Sequence, residues 1–343
     1  MTEEKPTHRP EQLISDWYLY ASDPYKGFVF PGSVGIKGHA AFYDAATYLL
    51  NQCKAYAEKG LIDFRVTLPG LTESDREDFR VHVIKRPDDH VFALRRIAKR
   101  IPLLEDLGMD LALRQLLLHK NLNKGGLVIV GGETGQGKST TCAATVKERM
   151  ETFGNFCLTI EDPIELPLDG CHGTGKIKGR CIQTEVENNN WADAMKGAMR
   201  SYPSVSGSML YVGETRDADT AAEVVRIATN GHLVLTTVHA DGLDSAVQRY
   251  MSMASAAMGT EKEVQTLMAS CFRLAIHQSL EEVTVAGVSR KRLNANFLFS
   301  PNGKSPVAQK LRGGGESLNN EITQQRMVLK NKGAAGIVGM WSD

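Results

Sequence analysis

Hydrophobic residues recur at helical spacing over 39–59, where Phe42, Ala45, Leu49, Cys53 and Tyr56 share one face and Gly60 offers a stop. Two alternating runs follow. Phe64, Val66 and Leu68 alternate with polar residues in the first, and Phe79, Val81 and Val83 do so in the second. The turn-rich PGLTESDRE between them predicts an antiparallel pair, and a third run over 90–97 extends that sheet. Residues 1–38 are mixed and rich in Pro, Gly and aromatics, which predicts a mobile start and then loosely regular structure. Residues 1–100 are thus expected to form a small α+β domain. Pro102 ends that region, and a helical stretch over 103–119 makes a linker of 101–118.

Beyond it the pattern changes. Continuous apolar runs at 127–130, 156–160, 209–212 and 233–237 are separated by helical periods. Strands buried on both faces read this way, so 119–311 is expected to be an α/β domain with a parallel sheet between helices. From about 262 the pattern predicts helix again. Residues 312–343 carry Gly313, Gly314, Gly315, Gly333, Gly336 and Gly339 with few apolar periods, which predicts a tail of little rigid order.

The chemistry concentrates after the first apolar run. GGETGQGKSTT at 131–141 contains G-x-x-x-x-G-K-S as Gly132, Gly137, Lys138 and Ser139. A strand precedes it, and Cys142, Val146, Met150 and Phe153 follow at helical spacing. Such a loop wraps phosphates with backbone N–H groups ahead of a helix N-terminus that favours negative charge. The loop residues Gly132, Glu133, Thr134, Gly135, Gln136, Gly137, Lys138, Ser139 and Thr140 are the expected ATP contacts. Lys138 would reach the β/γ-phosphates and Ser139 would offer its hydroxyl to Mg²⁺.

Composition narrows the surroundings. Lys+Arg and Asp+Glu are each 40, so no global basic field argues for nucleic acid. Six scattered cysteines without a CxxC pair read as reduced thiols of a cytoplasmic protein. Cys171-His172 with Cys181 makes at best half a zinc site. No apolar run approaches the roughly 18 residues of a membrane helix, and MTEEKPTHRPEQ has no signal-peptide core.

Three later stretches could turn binding into hydrolysis, which needs a group to orient water and cations to offset phosphoryl charge. TIEDPIE at 159–165 follows an apolar strand, as do YVGETRD at 211–217 and LVLTTVH at 233–239. The strand ending in Gly213-Glu214 resembles a Walker B element with Glu as its acid. Each stretch also has an ordinary structural reading: Glu161-Asp162 as a turn cap, Glu214 as a partner of Arg216, His239 as a core histidine.

In this order, GGETGQGKSTT, TIEDPIEL, YVGETRD and NGHLVLTTVHA resemble the motifs of the secretion and pilus motor ATPases: Walker A, Asp box, Walker B and His box. IDFRVTLPGL, DFRVHV and ALRRIAKRIPLLEDLGM look like that family's N-terminal domain and linker. The resemblance covers roughly residues 60–280. It implies a RecA-like P-loop NTPase motor domain behind a small α+β, PAS-like N-terminal domain. It also implies that Glu214 and Glu161 align water and help hold Mg²⁺, with Glu214 the preferred base and metal partner of Ser139. His239 and His232 would contact the nucleotide region. Arg80 and Arg95, with Arg86 and Arg96 as near alternatives, match the arginines that close onto the γ-phosphate. The implied partners are further copies, as a homo-hexamer, and inner-membrane components of the machine.

Departures are visible. Arg200 is followed by Ser201-Tyr202-Pro203-Ser204-Val205 where the family often has an acidic segment. Residues 169–180, DGCHGTGKIKGR, form a Gly/Lys-rich insertion expected to be a disordered surface loop. No tetracysteine zinc module is present. The whole reads as a cytoplasmic ring ATPase, peripheral at the inner membrane, powering a type IV secretion system of the IVB or conjugative kind or a type IV pilus. A pilus-retraction ATPase, a RecA-like nucleic-acid motor, a nucleotide-gated subunit without turnover and a small-molecule kinase are the alternatives.

Overall fold

The computed structural model describes residues 14–342, apart from 31, 71–75, 187–189, 204–206, 286–287 and 315–316. The expectation for the first 13 residues therefore lies outside the described residues. The chain forms two compact units, Met1–Lys99 and Arg100–Asp343.

In the first unit, β1 (Asp16–Tyr20), β2 (Phe28–Phe30), β3 (Val34–Gly35), β4 (Asp63–Leu68), β5 (Glu77–Ile84) and β6 (Val91–Arg96) form an antiparallel sheet in the order β3-β2-β1-β6-β5-β4. The helix α1 (Ala40–Ala57) covers one face. Alternation decides which side chains it meets: Trp17, Leu19, Val66, Phe79, Val81, Val83 and Phe92 pack against Phe42, Leu49, Leu50 and Cys53. Burial pushes the Cys53 thiol up to about 12, which makes it an inert core residue. The intervening positions of β4, β5, β6 and β1 bring Arg65, Arg80, Arg95 and Asp16 side by side on the other face.

In the second unit, α2 (Leu111–Leu117) precedes β7 (Gly126–Gly131) and α3 (Lys138–Phe153). The chain continues through β8 (Phe156–Glu161), β9 (Gly170–His172), β10 (Gly179–Glu185), α4 (Trp191–Ser201), β11 (Ser208–Val212), α5 (Ala218–Thr229), β12 (Leu233–Val238), α6 (Leu243–Met258) and α7 (Glu261–Cys271). It ends with β13 (Phe272–Val285), β14 (Val288–Phe299), α8 (Pro306–Arg312) and α9 (Asn319–Gly339). The sheet order is β14-β13-β7-β12-β11-β8-β10-β9, parallel from β13 to β10 with β14 and β9 antiparallel at the edges. Both faces are buried. Leu127 and Ile129 of β7 join the core under α5, α6 and α7, whereas Val128 and Val130 join the core under α3 and α2. That double burial is why these strands read as continuous apolar runs.

Four sequence expectations are corrected. The helix expected over 103–119 is confined to α2, because Gly108 turns at φ +71° and Asp110 caps the helix by accepting from Ala112 N. Helix does not persist after α7: β13 and β14 pair as a long antiparallel hairpin, since Leu274 to His277 pair with β7, far away in sequence. The 169–180 insertion is not a disordered loop but carries the β9–β10 hairpin, held as β10 adds in register beside β8. Most described residues of the Gly-rich tail are likewise helical. Its α9 runs through a break at Gly333, buries Ile322, Gln325 and Ile337, and is followed by Trp341, which stacks on His119 with ring centroids 4.8 Å apart.

Candidate functional site

Parallel strands align their C-terminal ends, and open α/β sheets bind ligands there. At the end of β7 the loop 132–137 turns into α3. Gly132, Gly135 and Gly137 hold φ of +149°, +78° and +77°, a region that disfavours side chains. Gly137 is the N-cap and has no side chain to occupy the first-turn N–H groups, which stay available to an anion. Lys138 is buried and its Nζ donates to the carbonyls of Gly132 (2.9 Å) and Glu133 (2.8 Å), so the ammonium lies over the loop. Burial pushes its pKa down, opposed by the Glu214 carboxylate. Ser139, in the first turn of α3, lies beside the Tyr211 hydroxyl, which burial keeps protonated. Glu133, Thr134, Gly135 and Thr140 are on the exposed or half-exposed side of the loop.

The neighbouring strand ends bring in carboxylates. Glu161 closes β8 and is 3% exposed, with Gln183 Nε2 donating to its Oε1 at 2.9 Å. Glu214 follows β11 after Gly213, where a Cβ would stand 3.4 Å from Cα of Glu161. The two acidic segments therefore lie in contact distance of each other. Glu214 is bound on both oxygens: His239 Nε2 is 3.0 Å from Oε1 and Arg216 Nε is 2.8 Å from Oε2. The Arg216 pairing expected as an ordinary reading is therefore present, together with a histidine contact. His239 lies just past β12 with its side chain 40% exposed, so it is not a core histidine. Asp217 of the same motif caps α5 by accepting from Thr220 N. A cavity of ≈ 630 Å³ beside the loop is lined by Glu133, Thr134, His239, Asp241, Ser245 and Arg249.

His232 is not brought to this cluster. It precedes β12 at the N-terminal edge of the sheet, so a whole strand of about 20 Å, at ~3.3 Å per residue, separates it from His239. There it bonds Ser208 Oγ through Nδ1 at 2.6 Å and packs on Tyr202 with centroids 4.5 Å apart. The structure thus does not bring it together with the loop, Glu161, Glu214 and His239 as the sequence expectation had it.

Arg80 and Arg95 are in the first unit, directly opposite each other on β5 and β6. Arg95 pairs with Asp16 at 2.9 Å and its side chain is 74% exposed. A cavity of ≈ 230 Å³ there is lined by Asp16, Tyr18, Arg80, His82 and Arg95 among others. Of the near alternatives, Arg96 binds the buried Glu77, and Arg86 lies 5.8 Å over the Tyr20 ring.

Hard oxygen donors suit Mg²⁺, and the site offers the Ser139 hydroxyl with the carboxylates of Glu161 and Glu214. Among the described residues, no group of three or more His, Cys, Asp or Glu is arranged to hold a metal. A cation completed by phosphate and water, the habit of Mg²⁺, fits this sparse set.

Two contacting residues escape a motif reading. Gln278 on β13 donates from Nε2 to Gln136 O at 2.7 Å, while Gln136 Oε1 accepts from Leu280 N at 2.6 Å. Gln183 lies on β10, just past the 169–180 insertion, and reaches Glu161 across to β8. Neither shows a signal in a single sequence, because each acts through a loop distant along the chain.

The family described as type II/IV secretion system protein matches residues 63–332. The chain belongs to that family. Relatives in the type II/IV secretion system family include an uncharacterized protein of Escherichia coli K12, YggR. It is 32% identical over 229 residues, which cover 65% of this chain and 63% of that protein. The type IV pilus ATPase PilU of Pseudomonas aeruginosa is 32% identical over 200 residues, covering 58% and 47%. The chain thus spans less than two thirds of each of these relatives. Among solved structures, the pilus retraction motor PilT with bound ADP superposes with a TM-score of 0.69. That match has 24% identity and covers 94% of this chain and 87% of that one, a likeness of fold. The chain thus has a mixed α/β fold like that of this structure. Among the described residues no helix is long and apolar enough to cross a membrane.

Proposed function

We propose that this chain is a Mg²⁺-dependent ATPase subunit that powers a type IV secretion system, of the IVB or conjugative kind, or a type IV pilus. One observation carries the reading. The lysine-bearing loop after β7, Glu161 at the end of β8 and Glu214 after β11 share one edge of a parallel sheet. In this reading the second unit is a RecA-like P-loop motor domain and the first a PAS-like companion. Loop N–H groups and Lys138 bind the triphosphate. Ser139 and Glu214 hold Mg²⁺, which screens phosphate charge when bound. Glu214, with Glu161 behind it, orients and deprotonates the attacking water. His239 steers the Glu214 carboxylate. Arg80 and Arg95 offer guanidinium charge to the γ-phosphate. The working assembly is a homo-hexameric ring at the cytoplasmic side of the inner membrane, reached through membrane-embedded partners.

Phosphate release from the purified protein tests this. Lys138→Ala is expected to abolish turnover, and Arg80→Ala with Arg95→Ala to reduce it. Normal hydrolysis by both arginine variants would sink their assignment. The pairing of Glu214 with Arg216 and His239 gives some support to a second reading, nucleotide-gated assembly without turnover. Nucleotide binding with no phosphate release from the wild-type protein would select it.

A further inference from the structure

We propose that Gln183 is the positioning residue of Glu161, fixing the carboxylate against the catalytic edge of the sheet. The inference rests on the hydrolysis reading above. Gln183 is on β10, whose register with β8 sets it opposite Thr159. Its Nε2 donates to Glu161 Oε1 at 2.9 Å and to Leu166 O at 3.0 Å. Its Oε1 accepts from the backbone N–H of Leu168 and of Asp169, both at 2.8 Å. Two donors facing one end of the amide and two acceptors facing the other leave a single consistent orientation, with NH₂ towards Glu161. The carboxylate is therefore held from behind by a group that is itself held by the segment following the Asp box. The backbone of Gln183 adds a separate tether, donating to Asp169 Oδ1 at 3.0 Å. Glu161 is 3% exposed, and a hydrogen bond from an amide that is itself held fixes the direction of its carboxylate at little cost.

The test is steady-state ATP hydrolysis by the full chain. Gln183→Met keeps the length and loses both donors. It is expected to lower kcat about ten- to hundredfold, the cost of a misplaced catalytic group, with the ATP KM within about twofold. In a Glu161→Gln background the same change is expected to alter kcat by less than about twofold, because it acts through the carboxylate. Asp169→Ala cuts only the backbone tether and is expected to leave kcat unchanged. Wild-type kcat in Gln183→Met, an equal loss in the Glu161→Gln background, or the same loss in Asp169→Ala overturns the proposal. Wild-type turnover by Glu161→Gln alone instead overturns the role given to Glu161, and this inference with it. If Gln183→Met does not fold, Gln183→Asn, which withdraws the amide by one methylene, must show the same split between kcat and KM.

Discussion

Glu214 Oε1 lies 3.0 Å from His239 Nε2, which ties the acid after β11 to the end of the adjacent strand β12. Further bonds reinforce the same junction: Thr237 Oγ1 donates to Gly213 O at 2.7 Å, and Thr215 N donates to Thr237 O at 2.9 Å. The acid is thus preset rather than free to swing. Glu214→Gln keeps the shape and the histidine contact but cannot take a proton. Turnover is expected to fall by about 10²–10⁴-fold, the usual contribution of a general base, while ATP still binds. His239→Ala should cost less, about tenfold, since it removes orientation and not the base. Phosphate release and a fluorescent-nucleotide titration, run in parallel, check both. Near-normal turnover in Glu214→Gln would remove it as the base.

Gly132 is where β13 braces the phosphate loop. A Cβ there would stand 2.5 Å from Gln278 O, at a φ of +149°. Gly132→Ala must therefore displace backbone on one side or the other. It is expected to destabilise the fold by about 1–3 kcal/mol. Because the loop moves with it, nucleotide affinity should drop by about tenfold or more, or ~1.4 kcal/mol. Thermal melting and nucleotide titration report the two effects. An unchanged affinity would mean the brace does not shape the loop.

His232 gives the fold an acid sensitivity. Burial pushes its imidazole below the ordinary 6.5. The unfolded chain therefore binds the proton more readily than the folded one. The stabilisation from the neutral ring is fully present above pH 6.5 and is lost as pH falls below that value towards the folded pKa. Urea unfolding at pH 7.5 and 5.5 should show the wild type losing more stability than His232→Asn. Equal losses would show that the ring takes up its proton alike in both states.

Gln325 mimics a strand partner. Its Oε1 accepts from Phe299 N at 2.8 Å and its Nε2 donates to Phe299 O at 2.7 Å, satisfying the edge of β14 from α9. Gln325→Ala leaves two buried backbone groups without partners. The expected loss is about 1–3 kcal/mol by denaturant unfolding. A loss under about 0.5 kcal/mol, the size of an ordinary surface substitution, would mean that α9 contributes little to this core.

Much of the site is legible in the amino-acid sequence. The loop at 131–141 announces itself by glycine spacing, since a phosphate cradle needs positive φ at set positions. Glu161, Glu214 and His239 announce themselves by standing just after apolar runs, since the chain leaves a doubly buried strand where polar groups can face a ligand. The same logic misplaces His232. It flanks an apolar run too, but at the opposite end, and only strand direction tells the two ends apart. β13 reads as helix because its ladder partner β7 lies far back along the chain. The tail reads as loose because α9 buries few residues of its own, and its order comes from Phe299, α2 and His119.

From the sequence alone come the parallel α/β core, the phosphate loop, the acids that follow it and the family resemblance. These rest on local patterns: periodicity, glycine placement and motif order. Tertiary structure decided which candidates meet. It joined His239 to Glu214, removed His232 to the far edge, set β13 beneath the loop through Gln278, and placed Gln183 behind Glu161. These are contacts between segments separated by long stretches of chain, and a pattern read along one chain carries no information about the register in which distant strands pair.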